Sequence, residues 1–290
     1  MPKISVVIPH YQDLAGLKLC LASLERQTFP RDQFEIIVSD NASPVGQTAV
    51  AAVTRDRAKL VVCAEKGAGP ARNAGVAVSF GEILAFIDSD CQADPEWLMV
   101  GVAGLAGYDF IGGQVKVLVD DPACMSATEA FEAVFAFDFK TYINKNGFTG
   151  AGNMICGRTV FISVGGFLSG VSEDIEWSQR ARAKGYRLGY IHDAIVHHPA
   201  RRTWQELETK WRRVNTEMLG LHRRKGRGRL AWFAKCAVLP VSAVVHTPRV
   251  LLAKQLPDLR SRLLALSTLY RTRLWRAGHA FRLALTKQGE

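Results

Sequence analysis

Residues 83–90, ILAFIDSD, decide the fold, because an apolar run ends there at two aspartates separated by one serine. Such a run is typical of a strand buried on both faces of a parallel sheet, although periodicity alone also allows a buried helix segment. The next residues favour the strand, since QADP supplies turn chemistry and residues 96–105 predict a helix with proline beside its start. Asp88 and Asp90 would then lie at the carboxyl end of a strand, where open α/β sheets bind ligands.

Strands and helices alternate before this stretch. Apolar, β-branched runs predict strands at 4–8, 34–38 and 60–63, and helical spacing or helix-start signals predict helices at 14–26, 47–57 and 71–78. This alternation predicts an α/β fold, a doubly wound, mostly parallel sheet flanked by helices.

Polar residues follow three of these strands. Asp40 and Asn41 follow the second strand, a glycine-rich turn at 67–73 follows the third, and Asp88 and Asp90 follow the fourth. Because the carboxyl ends of parallel strands face one crevice, these clusters are expected to hold one ligand jointly, although Asp40 alone would suit simple turn chemistry.

The glycine-rich turn lacks both the GxGxxG and the GxxxxGK[ST] spacing, which argues against a hydride-transferring enzyme and a P-loop kinase. Its backbone N–H groups and Arg72 suit the charge of a diphosphate, or Arg72 orients the nearby acids.

Asp88 and Asp90 project to one side of the strand end and would repel each other without a cation. Hard oxygen ligands that leave positions for substrate phosphates favour Mg²⁺ or Mn²⁺. The alternative is a pair of solvated acids that cap the following helix.

Charge is distributed unevenly along the chain. Residues 1–200 contain 17 Lys or Arg and 22 Asp or Glu, whereas residues 201–290 contain 20 and 5, and the whole chain carries +10. This asymmetry predicts a catalytic body with a basic tail that meets an anionic partner.

The six cysteines show no CxxC pair and no metal-like spacing to histidine, which is typical of reduced thiols in the cytosol. No secretory signal is expected at the amino terminus.

Several motifs, in this order, resemble those of family 2 glycosyltransferases with the GT-A fold, over roughly residues 3–200. They are SVVIPHYQD, IIVSDNAS, EKGAGPARNAG, ILAFIDSD, GAGNMICGRTVFISVGGF, EDIEW and a later histidine pair. The resemblance implies a nucleotide-diphospho-sugar donor. It also implies a catalytic domain at 1–202, with a nucleotide-sugar half at about 1–105 and an acceptor half at about 106–202.

The resemblance also implies residue roles. The loop after the first strand would bind the nucleoside, with Asp40 near the base, Arg72 by the diphosphate, Asp88 by the ribose and metal, and Asp90 on the metal. A downstream histidine would complete the metal site, and His197 and His198 both remain candidates. The expected nucleotide-sugar-binding set is Pro9, Tyr11, Asp40, Asn41, Arg72, Asp88 and Ser89.

By the same resemblance, Asp174 of EDIEW is the catalytic base, because an attacking hydroxyl needs a proton acceptor. In-line attack then inverts the anomeric carbon. Plain helix capping would also explain acids at this position. The expected acceptor region contains Gly152, Asn153, Glu173 and Trp177.

Residues 203–290 are expected to form a helical, basic extension. Leucine and aromatic residues step by three and four through 259–285 with arginines around them, which predicts an interfacial helix on an anionic membrane surface. The longest uncharged run, 236–248, is short for a spanning helix. Packing on the protein itself or in a homo-oligomer remains the alternative, and no nucleic-acid motif is present.

The sequence therefore predicts an inverting, metal-dependent hexosyltransferase, peripheral or monotopic at the cytoplasmic face of the plasma membrane. Its acceptor would be a sugar, lipid-linked or polysaccharide-precursor hydroxyl. The alternatives are a nucleotidyltransferase acting on sugar phosphates and a non-catalytic membrane adaptor with the same fold.

Overall fold

A computed structural model describes residues 2–286 of the chain, and the eight strands among them form one sheet. The ends of the two expected domains, residues 1 and 287–290, lie outside the described residues. The elements are β1 (Ile4–His10), α1 (Leu14–Glu25), β2 (Phe34–Asp40), α2 (Gln47–Thr54), β3 (Lys59–Val62), α3 (Ala68–Ala77), β4 (Ile83–Ile87), β5 (Gln92–Ala93), α4 (Trp97–Gly104), β6 (Phe110–Leu118), α5 (Ala127–Phe135), α6 (Phe139–Thr141), β7 (Asn153–Gly157), α7 (Arg158–Val164), α8 (Glu173–Ala183), β8 (Leu188–Pro199), α9 (Trp204–Arg224), α10 (Arg229–Leu251) and α11 (Leu259–Leu285). Short 3₁₀ turns at Arg31–Gln33 and Arg55–Arg57 and a π-helical turn at Tyr142–Asn146 complete the described elements.

The sheet has the order β3-β2-β1-β4-β7-β6-β8-β5. The first four strands run parallel, as the alternation of strands and helices predicts. Strand β7 pairs antiparallel with both β4 and β6, and β5 pairs antiparallel with β8. The predicted α/β sheet flanked by helices is confirmed, and the antiparallel strands of its second half make it mixed.

The central strands are buried on both faces. Val6 and Ile8 belong to one apolar cluster with Trp97, and Val7 belongs to another with Trp177. Because side chains of a strand alternate between faces, β1 contributes to both clusters. These clusters fix the carboxyl ends of β1, β2 and β4, from which the predicted site residues come.

The chain divides into two compact units. The first comprises residues 1–116, 137–169 and 173–198, and the second comprises 117–136, 170–172 and 199–290. Helix α5 belongs to the second unit, where it packs with the C-terminal helices, and the expected boundary at 202/203 stays a prediction. Met125, Phe131 and Leu269 share one apolar cluster, and Thr268 donates a hydrogen bond of 3.0 Å to the Ala127 carbonyl.

Helices dominate the second unit, as expected for residues 203–290. Trp232 on α10 donates a hydrogen bond of 2.9 Å to the Ala280 carbonyl on α11. By length and composition alone, α10 could cross a membrane, and only 17% of its most apolar window is buried.

Candidate active site

Arg72 connects two segments that are distant in the sequence. Its guanidinium donates hydrogen bonds of 2.6 Å to Asp88, directly after β4, and 3.0 Å to Glu173, at the start of α8. Arg72 is only 4% exposed. Burial lowers the pKa of Arg72, but the Asp88 and Glu173 carboxylates outweigh burial and raise it overall. Arg72 therefore holds the Asp88 and Glu173 carboxylates on either side of its guanidinium.

Two glycines allow the segments around this cation to approach. A Cβ at Gly152 would lie 2.5 Å from an Asp88 oxygen, and a Cβ at Gly69 would lie 3.1 Å from the Phe167 side chain and 3.4 Å from that of Glu173. Larger residues at Gly152 would displace the Asp88 carboxylate. The predicted residues Asp88, Gly152 and Glu173 therefore do converge.

Asp174 occupies the first turn of α8. Glu173 beside it is bound by Arg72, and Glu176 one turn later is bound by Arg180 at 2.8 Å. Asp174 itself accepts a hydrogen bond of 2.7 Å from the backbone N–H of Ile175. Burial, and next the negative charge of Glu173, raise the pKa of Asp174 to about 6. A carboxylate with a raised pKa is a better proton acceptor than an ordinary aspartate.

Asp90, Cys91 and His198 form a cluster of metal-ligand types. One ligand atom from each lies within 4.8 Å of the others, and the Nε2 of His198 is 3.2 Å from Asp90 Oδ2. His197 instead faces Asp94, at 4.0 Å, since adjacent residues of β8 point to opposite faces. Burial lowers the pKa of His197. This geometry favours His198 over His197 as the histidine near Asp90.

Asp40 lies at the end of β2 and is 1% exposed. Its Oδ1 accepts hydrogen bonds from the His10 ring at 2.8 Å and the Ser43 hydroxyl at 2.5 Å, and its Oδ2 accepts one from the Ser43 N–H at 3.0 Å. Burial raises the pKa of Asp40, but the hydrogen bonds outweigh it and lower the pKa overall. Asp40 thus fixes the loops after β1 and β2.

Asn41 holds the glycine-rich turn. Its side chain donates to the carbonyls of Cys63 and Glu65 at 3.1 and 2.6 Å and accepts from the Gly67 N–H at 2.8 Å. Gly67 has φ of +128°, a conformation that favours glycine. The first and second polar clusters are therefore physically connected.

Three other residues of the expected nucleotide-sugar set lie near these strand ends. Pro9 is half-buried in β1, Tyr11 follows it and is 54% exposed, and Ser89 is half-buried between Asp88 and Asp90. Their roles stay predictions.

Asn153 and Trp177 of the expected acceptor region are both fully buried. The Asn153 amide accepts from the Trp97 indole at 2.9 Å and donates to the carbonyls of Gln114 and Ala194. The Trp177 indole donates to the Gly165 carbonyl at 2.9 Å within an apolar cluster. Both side chains therefore stabilise the fold, and their place in an acceptor region stays a prediction.

Sequence reasoning missed His10, Ser43 and Cys91. His10 and Ser43 belong to the quoted motifs, but nothing in the sequence indicates that they contact Asp40. The contact with His10 forms because β1 pairs with β2. Cys91 directly follows Asp90, and only the return of β8 beside β5 brings His198 close. Burial, and next the charge of Asp90, raise the pKa of the Cys91 thiol.

Comparison with known proteins identifies the family. The sequence model of Glycosyl transferase family 2 matches residues 5–168. The chain is 32% identical to glycosyltransferase AglE of Haloferax volcanii over 220 residues, which cover 73% of this chain and 72% of AglE.

Solved structures share the fold. A mannosyltransferase of Pyrobaculum calidifontis, in complex with GDP-Man and Mn²⁺, superposes with a TM-score of 0.61 at 18% identity, covering 98% of this chain and 86% of that one. Staphylococcus aureus TarS 1–349 in complex with UDP-GlcNAc gives 0.53 at 18% identity, covering 97% and 90%. The expected GT-A fold and nucleotide-sugar-dependent transferase are thus confirmed, and the chain belongs to glycosyl transferase family 2.

Proposed function

We propose that this enzyme is an inverting, divalent-metal-dependent hexosyltransferase that transfers a sugar from a nucleotide diphosphate to a hydroxyl of a lipid-linked or polysaccharide-precursor acceptor. The observation that carries the proposal is the bridge from Asp88 through Arg72 to Glu173. It joins the end of β4, where a donor would bind, to the first turn of α8, which bears the candidate base.

The donor site is proposed at the ends of β1, β2 and β4. Asp40 and Asn41 hold the loops that would surround the nucleoside, and Arg72 holds Asp88 in place. The structural neighbours bound to GDP-Man and UDP-GlcNAc support a nucleotide-diphospho-sugar as the donor class.

Asp90 and His198 are proposed to hold Mn²⁺ or Mg²⁺, with Asp88 nearby. Carboxylate and imidazole within 3.2 Å of each other are a donor pair that suits Mn²⁺, and Cys91 offers a third, softer donor. A bound divalent cation would supply positive charge for the leaving diphosphate.

Asp174 is proposed to accept the proton of the attacking hydroxyl. The neighbouring acids Glu173 and Glu176 are occupied by Arg72 and Arg180, so neither is placed to form a covalent sugar intermediate. A single base and direct displacement give inversion at the anomeric carbon.

The acceptor class and the location are supported by the basic, apolar C-terminal segment. Its cations match the negative potential of the cytoplasmic leaflet, where a lipid-linked acceptor would be found. Membership of a glycosyl transferase family argues against the nucleotidyltransferase and adaptor alternatives.

The test begins with a panel of sugar nucleotides plus Mn²⁺, in which the true donor raises the melting temperature by mass action. Transfer from that donor should give a product of inverted anomeric configuration. Asp174→Asn should retain the donor-induced shift but lose about 10²–10⁴-fold in kcat. Asp56→Asn, at an exposed acid outside the quoted motifs, is the control. Near-normal turnover by folded Asp174→Asn would refute the base, and a retained configuration would refute inversion.

A further inference from the structure

Helix α11 contains an internal repeat of eleven residues. The segments are LRSRL at 259–263, YRTRL at 270–274 and FRLAL at 281–285. Eleven residues make slightly more than three turns of an α-helix, so equivalent positions return to nearly the same side. The repeat therefore produces a straight stripe along the whole helix.

The stripe is apolar and faces away from the protein. Its six members are exposed by 38–67%: Leu259, Leu263, Tyr270, Leu274, Phe281 and Leu285. Single exposed apolar side chains are common, but a continuous row usually marks a contact surface.

The stripe continues onto α10. The Phe281 and Phe233 rings lie 4.6 Å apart, and the Tyr270 hydroxyl lies 3.1 Å from that of Thr247. Helix α10 adds exposed valines at 238, 241, 244 and 245. The two helices thus present an extended apolar surface, here called the α10–α11 surface.

Positive charge accompanies this surface. Residues 218–286 contain fourteen Lys or Arg and a single acid, Asp258. Asp258 caps α11 by accepting from the Ser261 N–H at 2.7 Å. An exposed arginine follows the first residue of every repeat, at 260, 271 and 282.

We propose that the α10–α11 surface docks in the plane of an anionic lipid bilayer, with the apolar stripe among the acyl chains and the arginines among the headgroups. This combination of an apolar face with bordering arginines is complementary to anionic lipid. A second copy of the chain would offer the same positive charge and would repel it.

The in-plane orientation follows from the charges. The uncharged run 236–248 spans about 20 Å as a helix, against a hydrocarbon core of about 30 Å. Lys235 precedes that run on an exposed position of α10. Each repeat of α11 also carries arginine. Because charged side chains are costly inside a bilayer, α11 cannot cross the hydrocarbon core beside α10.

The first test measures sedimentation of the full chain with phosphatidylcholine vesicles, with and without phosphatidylglycerol. Binding is expected to require phosphatidylglycerol and to weaken with salt. Arg260→Gln/Arg282→Gln should reduce partition roughly 30-fold, at the usual contribution of a basic residue near the surface. Arg26→Gln/Arg55→Gln, at two exposed arginines of the first unit, should bind like the parent. Equal loss in both pairs, or no binding by the parent, would overturn the proposal.

The second test examines the apolar stripe. Leu263→Glu/Leu274→Glu should abolish binding, whereas Leu19→Glu, at a similarly exposed leucine of α1, should not. A parent dimer that this double variant converts to monomer without changing vesicle binding would identify a second copy as the occupant instead.

The third test distinguishes lying from spanning. Leu230→Cys and Leu252→Cys, near the two ends of α10 and each combined with Cys124→Ser to remove the exposed native thiol, are labelled with an impermeant maleimide after binding to preformed vesicles. Labelling at both ends supports the in-plane orientation, and protection of one end would overturn it.

Discussion

The two units differ in how their exposed apolar side chains are distributed. Among the described residues, eight exposed large hydrophobic side chains lie scattered between residues 11 and 162, whereas thirteen lie between 230 and 285. Both units bury paired charges, since Asp40 and Arg72 of the first unit are exposed by 1% and 4% and Glu132 of the second is fully buried against Arg201 and Lys210.

This difference distinguishes residues that position the chemical groups of the site from residues that are available to bind a partner. Each buried charge of the first unit has its own partners, His10 and Ser43 for Asp40 and the acids Asp88 and Glu173 for Arg72, so the fold positions these groups before any ligand arrives. On α11 of the second unit, small or apolar residues such as Ala265 and Leu269 pack inward while larger apolar residues stay exposed, so that unit retains a surface for a partner. The contrast can be tested by changing one region at a time.

Arg72→Gln is expected to have the largest effect on stability. It leaves the carboxylates of Asp88 and Glu173 without their buried cation, and removing one member of such a network costs about 3–5 kcal/mol. Urea unfolding measures this cost. Arg213→Gln, which removes an exposed pair with Glu217, is the control and should cost less than about 1 kcal/mol. Similar costs for the two variants would mean that the buried bridge stabilises the fold no more than an exposed ion pair does.

The histidine pair gives the next largest effect. Mn²⁺ at a hundredfold excess over its Kd stabilises a protein by about 2.7 kcal/mol. His198→Ala should lose this stabilisation, because His198 lies 3.2 Å from Asp90, and His197→Ala should keep it, because His197 faces Asp94. Melting temperature with and without Mn²⁺ is the measurement. The reverse result would move the proposed metal position to the other face of β8.

Asp174 makes stability depend on pH. Its pKa is raised from 3.8 to about 6 by burial and then by Glu173, so between these values the folded chain binds more protons than the unfolded chain. Stability therefore falls as pH rises from about 4 to 6. Asp174→Asn should remove this fall. Its free energy of unfolding should exceed that of the parent by about 1 kcal/mol at pH 7, a figure reduced because Asp174 is partly exposed. Below pH 3.8 the two free energies should be equal. Urea unfolding at both pH values measures it, and a less stable variant at pH 7 would contradict the raised pKa.

The sequence predicts the donor half well because its signals are local. Each strand end carries its own polar residues, and the parallel alternation of strands places Asp40, Asn41 and Asp88 at one edge of the sheet. The expected strand at 83–90 is β4, with Asp88 and Asp90 directly after it.

The parts that sequence reasoning missed depend on contacts between distant residues. His10 meets Asp40 only through strand pairing, and Arg72 meets Glu173 across 101 positions. Asn153 and Trp177 look like site residues because polar and aromatic side chains occur in a loop and a helix start, yet three-dimensional packing buries both. No pattern in the neighbouring sequence indicates that these two side chains are buried.

The smallest expected effect tests whether the exposed stripe contributes to the fold. Leu274 is 59% exposed on α11, whereas Leu269, five residues earlier on the same helix, is fully buried in the cluster with Phe131. Leu269→Ala should cost about 2–5 kcal/mol because it leaves a cavity. Leu274→Ala, in contrast, should change the free energy of unfolding by less than about 0.5 kcal/mol in the absence of lipid. Urea unfolding of both variants gives the comparison.

A loss of stability at Leu274 that approaches the loss at Leu269 would mean that the stripe already packs against protein in solution. The contrast between the two units would then disappear. A neutral Leu274→Ala that nevertheless weakens vesicle binding would show that this leucine serves the surface and not the core.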